Sequence, residues 1–252
     1  MKNGVDISID RLSMRYRGAE SDSLHNVSIH IGAQEKFGII GPNGAGKTTL
    51  ISILCGLISQ STGSVKYTRE SAELPRKEQK SIIGFVPQEY AFYENLTAKQ
   101  NVQYFGALHG MAKQDIILRM KYLFEVLGLE EKANRKVKTF SGGMKRRLNL
   151  AIGIIQNPKI LFLDEPTVGV DAQSKHAIIK FLNELNSEGT TIIYTSHHLA
   201  EAEEFCDKIA LLDRGKVIAQ DSTVNLIQSS KAENLEDAFI QLTGGDFRDS
   251  DV

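Results

Sequence analysis

The stretch GPNGAGKTTL, Gly41 to Leu50, constrains this chain more than any other feature of the sequence. It follows EKFGII, a short apolar run that reads as a buried strand. It leads into Leu50, Ile53, Leu54 and Leu57, which recur at helical spacing. Glycines, a lysine and two hydroxyls therefore sit at a strand-to-helix turn, the context in which G-x-x-x-x-G-K-[ST] signals a phosphate cradle. Gly41, Gly44 and Gly46 carry no side chain, so backbone N–H groups can curl around an oxyanion. The helix that follows aims its unpaired N–H groups and the positive end of its dipole at the same place. Lys47 adds a full charge for the outer phosphates, and the Thr48 hydroxyl suits magnesium. The expectation is a nucleoside triphosphate site rather than a glycine-rich turn that binds nothing.

The whole chain narrows what such a site could serve. Its 252 residues fit one large α/β domain with a subdomain, or two small domains. Lys+Arg 30 against Asp+Glu 31 leaves a net charge of −1, which is no electrostatic footprint for wrapping nucleic acid, so no nucleic-acid partner is expected. Two cysteines, Cys55 and Cys206, are too few for a disulfide framework and read as small buried hydrophobes in a reducing cytoplasm. The opening MKNGVDISID is polar and alternating, so no leader segment is expected there. The longest apolar runs, Leu150 to Ile155 and KILFLDE, fall short of the roughly 18 residues of a membrane span. Any membrane role is expected to run through contact with another protein.

Along the chain, Val5, Ile7 and Ile9, and again Val27, Ile29 and Ile31, alternate with polar residues, a half-buried pattern that suggests an antiparallel sheet. STGSVKYTRESAELPRKEQK is charged and turn-rich and reads as a hairpin or mobile loop. SIIGFVPQ is a short strand, after which Thr97 and Gln100 form a capping box opening a helix. A second helix over KQDIILRMKYLFEVLGL ends near Gly128, and Ser141 opens a third that stops at Asn157-Pro158. Residues 89 to 157 are thus expected to be helical, inserted between strands. KILFLDE and TTIIYTSHH are continuous apolar strands suited to a parallel sheet covered on both faces. Between them, Asp171 caps a helix that Gly189 ends. Residues 241–252 read as a disordered acidic tail.

Two further constellations carry chemistry. Asp164 and Glu165 leave a buried strand together, at the end where ligands of open α/β sheets sit. One acid can organise magnesium while the other orients or deprotonates a water, and adjacent strand residues point opposite ways. Ser141, Gly142 and Gly143 open a helix and so offer a second anion site.

Tyr16, GPNGAGKTT, Gln88, SGGMKRR, ILFLDEP, GVD and TSHH, in that order, resemble an ATP-binding cassette subunit of an ABC transporter over nearly the whole chain. The resemblance implies an α/β fold: a P-loop NTPase (RecA-like) core with a mostly parallel sheet, an N-terminal antiparallel β subdomain and an inserted α-helical subdomain. Residues 1–240 would form a single ATPase domain. It also implies roles. Tyr16 would stack on adenine; Gly41, Pro42, Asn43, Gly44, Ala45, Gly46, Lys47, Thr48 and Thr49 would hold ATP. Gln88 would sense Mg2+ and the attacking water, with Thr48 and Asp164 as further magnesium residues. Glu165 would be the catalytic base and His197 the switch histidine on the γ-phosphate. Asp171 lies in the stretch that meets the opposite subunit, and Ser141 to Gly143 would close over ATP held by a second subunit in a head-to-tail pair. His198 has no assigned role.

The resemblance extends to partners. SGGMKRR and the late NLEDAFIQLTGG resemble the branch serving ABC-2-type exporters, such as antibiotic and drug efflux systems. An integral membrane permease and a second copy, or a related ATPase subunit, are the implied partners, placing the chain at the cytoplasmic face of a membrane. Met144 stands where the family signature carries glutamine, and activity is expected to survive because serine and backbone N–H groups remain. Lys145, Arg146 and Arg147 are poorly placed for the helix dipole; they are read as facing solvent, with attraction of nucleotide as the alternative. EYAFYENLTAKQNVQYFG is aromatic-rich, and Phe92, Tyr93 and Tyr104 belong either to a groove receiving the permease or to helical core. The rival functions are an importer subunit, against which only Met144 and the C-terminal stretch argue, an ABC ATPase acting on ribosomes or DNA, and a P-loop kinase, which would need neither the Ser141 signature nor His197.

Overall fold

The computed structural model describes residues 4–244. In chain order the elements are β1 (Asp6–Met14), β2 (Leu24–Ile31), β3 (Lys36–Ile40), α1 (Lys47–Leu54), β4 (Thr62–Arg69), β5 (Ala72–Glu73), α2 (Arg76–Ile82), β6 (Ile83–Val86), α3 (Ala98–Leu108), α4 (Lys113–Val126), α5 (Gly142–Gly153), β7 (Ile160–Asp164), α6 (Ala172–Ser187), β8 (Thr191–Ser196), α7 (Leu199–Phe205), β9 (Lys208–Asp213), β10 (Lys216–Ser222), α8 (Thr223–Ser230) and α9 (Leu235–Thr243). The chain divides into two compact units, residues 1–75 with 191–252, and residues 76–190.

The first unit holds two sheets. Alternation in β1 and β2 buries Ile7, Ile9, Val27, Ile29 and Ile31 on one face, and the strands pair antiparallel in the order β2-β1-β4-β5. The stretch expected as a hairpin or mobile loop holds a hairpin, β4 turning antiparallel into β5, and β4 also pairs with β1 from Thr62 to Thr68. In the other sheet β3 pairs in parallel with β8 on one side and β9 on the other, and β10 closes the edge antiparallel to β9. β8 is buried along its whole length, as a strand covered on both faces must be.

In the second unit β6 and β7 pair in parallel, Val86 opposite Leu163, and β7 is again wholly buried. The inserted helices are α3, α4 and α5. They begin only at Ala98, since 87–97 is irregular and held by side chains. Asn101, fully buried, accepts from the Tyr93 N–H at 2.8 Å and donates to the Tyr93 and Thr97 carbonyls at 3.0 Å each. The Thr97–Gln100 capping box is present. α5 ends at Gly153, short of the expected Asn157, because two tight turns intervene and Asn157 takes a φ of 56°. α6 is capped by Asp171 and stops before Gly189 at φ 104°. α2, inside the charged stretch, was not foreseen; none of its residues is buried, so it has no apolar stripe to read. Residues 241–243 of the expected tail continue α9, and 245–252 lie outside the described residues. No helix among the described residues is long and apolar enough to cross a membrane.

Candidate functional site

In the first unit, parallel pairing sets the geometry. Ile40 lies opposite Ser196, so the chain leaves β3 at Gly41 and β8 at His197 from the same sheet edge. The Gly41 N–H donates to the Ser196 carbonyl at 3.3 Å, pinning the loop to the strand that carries the histidine. A Cβ on Gly41 would meet the Leu212 carbonyl at 2.0 Å, and Gly46 has a φ of 104°, so both positions demand glycine. Gly46 is the N-cap of α1 and supplies no side-chain cap, so the helix end is presented bare to whatever the loop encloses. Ala45 is buried, while Asn43, Gly44 and Thr48 are exposed. Lys47 is buried, its ammonium donating to the carbonyls of Gly41 at 2.8 Å and Pro42 at 3.0 Å, so the charge lies on the loop itself.

Tyr16 is 44% exposed, its hydroxyl 3.2 Å from that of Thr49. An exposed ring tethered to the phosphate-loop helix differs from ordinary packing. The His197 ring lies 4.1 Å from that of His198, and the His198 N–H donates to the Ser196 hydroxyl at 2.9 Å, which fixes the turn after β8.

In the second unit, β6 and β7 deliver Gln88 and the Asp164–Glu165 pair from one edge by the same logic. Asp164 and Glu165 are 2% and 5% exposed. Glu165 has a φ of 49°, a left-handed conformation that costs a residue with a Cβ about 1–3 kcal/mol and clusters at functional sites. Its direction is thus set by this turn rather than by strand alternation, which corrects the sequence expectation. The Gln88 amide donates to the Glu165 carboxylate at 3.3 Å.

The structure also brings the helix-opening glycines to Asp171. Ser141 caps α5, its hydroxyl accepting from the Met144 N–H at 3.3 Å. Asp171 caps α6, accepting from the Ser174 N–H at 2.9 Å, and that N–H holds its carboxyl below the usual range. A Cβ on Gly143 would lie 2.4 Å from the Ser174 hydroxyl and 2.9 Å from the Asp171 carboxylate, so α5 opens directly against the cap of α6.

The basic triplet departs from its expected solvent exposure. Lys145 pairs with Glu94 at 2.5 Å, and Arg147 donates to the Leu127 carbonyl at 2.8 Å. Arg146 is 4% exposed and donates to the carbonyls of Gln88 at 2.9 Å, Val168 at 3.3 Å and Pro87 at 3.4 Å. Asn149, one turn on, donates to the Pro87 carbonyl at 3.0 Å and accepts from the Ala91 N–H at 3.4 Å. Sequence reasoning passed over Arg146 and Asn149 as site residues. Their i, i+3 spacing beside Leu148 and Leu150 was the available signal, since it puts two polar groups on one face of a helix.

Tyr93 and Tyr104 are 51% and 42% exposed and meet edge to face, with centroids 5.2 Å apart; Phe92 stacks on Tyr90 at 5.1 Å. The tyrosines form a surface cluster, not helical core.

Comparison with known proteins shows the family. The family model described as ABC transporter matches residues 24–168. The linearmycin resistance ATP-binding protein of Bacillus subtilis is 39% identical over 220 residues, covering 87% of this chain and 70% of that protein. The Nod factor export ATP-binding protein I of Burkholderia lata is 36% identical, covering 88% and 73%. Among solved structures, an ATP-binding subunit of an ABC transporter superposes with a TM-score of 0.83 at 25% identity, covering 94% of this chain and 99% of that one. A dimeric post-hydrolysis state of an ATP-binding cassette, bound to ADP and Pi, gives 0.76 at 27% identity, covering 86% and 98%. This chain belongs to the ABC transporter family, as an ATP-binding and ATP-hydrolysing subunit.

Proposed function

We propose that the two compact units work as one ATPase domain that powers an exporter from the cytoplasmic face of a membrane, paired head to tail with a second copy or a related subunit. The exporter reading draws on relatives named for linearmycin resistance and Nod factor export. In this reading Tyr16 stacks on adenine and residues 41–49 hold the phosphates. Ser141 to Gly143 of one subunit close over the ATP of the other, and Asp171 takes part in that meeting. Lys47 exchanges its loop carbonyls for phosphate oxygens, His197 contacts the γ-phosphate, and Glu165 accepts the proton of the attacking water. Catalysis is then positioning and charge stabilisation, with little covalent chemistry.

In this reading Thr48, Gln88 and Asp164 would hold Mg2+, each having the oxygen donor that this hard cation favours; the Gln88 amide turns its N–H toward Glu165, leaving the carbonyl oxygen as its acceptor end. When bound, the cation neutralises phosphate charge. The exposed Tyr93–Tyr104 cluster is the surface on which an ABC-2-type permease would dock, since aromatic residues are favoured in interface cores.

The observation that carries the hydrolytic reading is the buried Glu165, aimed by a left-handed turn and contacted by Gln88. Glu165→Gln is expected to bind ATP, to turn over at most about one hundredth as fast as wild type, and to accumulate as a dimer in size-exclusion chromatography with ATP. Wild-type turnover in that variant removes Glu165 from the base role.

A further inference from the structure

Arg146 is a buried cation whose hydrogen bonds all go to backbone carbonyls, and those carbonyls belong to two different loops. Burying a guanidinium is costly unless its donors are satisfied, and here the two terminal nitrogens carry that task while Nε, also buried, has no hydrogen-bond partner among the described residues. One nitrogen, Nη1, donates to Pro87 and Gln88; the other, Nη2, donates to Val168. The Tyr90 ring covers the guanidinium at 5.2 Å, and the Tyr90 hydroxyl donates to the Gly142 carbonyl at 3.3 Å. Burial lowers the pKa of the guanidinium, with Tyr90, Glu165 and Asp164 acting in the opposite sense.

The two loops carry the two partners of one contact. Gln88, whose own carbonyl Arg146 binds, donates through its side chain to Glu165. Val168, the other loop acceptor, donates its N–H to the Glu165 carbonyl at 3.3 Å and so closes the turn that starts at the left-handed Glu165. Both ends of the Gln88–Glu165 pair therefore rest on a single side chain, and that side chain grows from α5 just behind its Ser141 cap. Only a planar fork with separate donors can span both loops; the single ammonium of lysine cannot.

We propose that Arg146 is a positioning residue for hydrolysis, fixing Gln88 and the Glu165 turn to the helix opened by Ser141 so that the base and the helix end keep one register. The proposal rests on Glu165 acting as the base. Its consequence is that loosening Arg146 slows the chemical step while leaving nucleotide binding to the single chain, which rests on Tyr16 and residues 41–49, untouched.

The test is steady-state and single-turnover ATPase kinetics on the full chain carrying Arg146→Lys, with Arg146→Gln as a second variant if the first proves poorly soluble. Circular-dichroism melting establishes that each is folded. The expected result is a KM close to wild type with kcat lowered roughly 10- to 100-fold, the scale set by small misplacements of reacting groups. A residue that acts through Glu165 should also be non-additive with it. Adding Arg146→Lys to Glu165→Gln should slow single-turnover hydrolysis far less than it slows wild type. Wild-type kcat in a folded variant overturns the proposal, and so does a kcat loss that multiplies in full on the Glu165→Gln background, since that is the mark of a merely structural role. Failure of the underlying reading looks different: Glu165→Gln alone would then hydrolyse ATP normally, whatever Arg146 does.

Discussion

Two helix ends in this molecule invite an anion, and they are built in opposite ways. α1 opens behind Gly46, which is left-handed and offers no side-chain cap, with no acidic residue in the first turn. α5 opens behind Ser141, which is extended and caps its own helix through Met144, and it lies against a second capped end where Asp171 supplies a carboxylate to α6. The first end has no side-chain cap and keeps a lysine charge within the loop; the second satisfies one of its donors from within. A bare end is a binding site in its own right. A self-capped end is a surface that binds only when something is pressed against it, which is what the proposed closure over a partner's nucleotide would require.

The largest effect that sharpens this contrast comes from Lys47→Ala. Removing the loop's cation should lower ATP turnover roughly 100- to 1000-fold, the cost of losing one well-aimed stabiliser of phosphoryl charge, and should weaken nucleotide binding measured by calorimetry. Ser141→Ala should leave nucleotide binding to the isolated chain unchanged. Equal loss of binding in both variants would mean that the two ends act together on one chain, and the contrast would fail.

That asymmetry also decided what could be read in advance. The glycine loop was legible from elementary physics, because its glycines, lysine and hydroxyls stand between a strand and a helix whose patterns are plain. β3, β7 and β8 were legible for the same reason: apolar runs buried on both faces carry one message. Ser141 to Gly143 meant little alone, since a serine and two glycines also describe any N-cap, and only the resemblance to a family gave them a task. Arg146 was misread because sequence shows its charge but not the carbonyls of Gln88 and Val168 that surround it, 58 and 22 residues away. The left-handed turn at Glu165 was invisible, since no glycine or asparagine marks it.

A smaller effect separates the two ends through their glycines. Gly41→Ala places a Cβ 2.0 Å from the Leu212 carbonyl, and backbone in a packed sheet cannot step aside. Thermal melting should show a loss of about 1–3 kcal/mol, the usual cost of overpacking. Gly143→Ala instead meets the Ser174 hydroxyl and the Asp171 carboxylate, which can turn away, and the Ser174 Cβ at 3.0 Å, which can yield only by a few tenths of an ångström; against that, alanine favours a helix by up to about 1 kcal/mol over glycine. Its melting temperature should stay near wild type while ATPase activity falls, because the displaced cap belongs to the stretch proposed to meet the partner subunit. If Gly143→Ala melts as early as Gly41→Ala, the second end is as rigid as the first.

The smallest effect tests whether the second end carries its own anion. The Ser174 N–H holds the Asp171 carboxyl below the ordinary aspartate value of about 3.9. A carboxylate favoured by folding stabilises the fold at every pH above its unfolded-state pKa. That contribution fades as pH falls through the lower folded-state value. Asp171→Asn keeps an acceptor for Ser174 but has nothing to titrate and no charge for the end of α6. Wild type should therefore melt slightly above Asp171→Asn at neutral pH, with the gap beginning to shrink near pH 4 and closing below it. The gap will be small because the carboxylate faces solvent, so the sign and the pH at which it closes are the informative quantities. A gap that persists unchanged below pH 3 would mean that Asp171 acts by shape alone, and the end of α6 would then be as bare of charge as the end of α1.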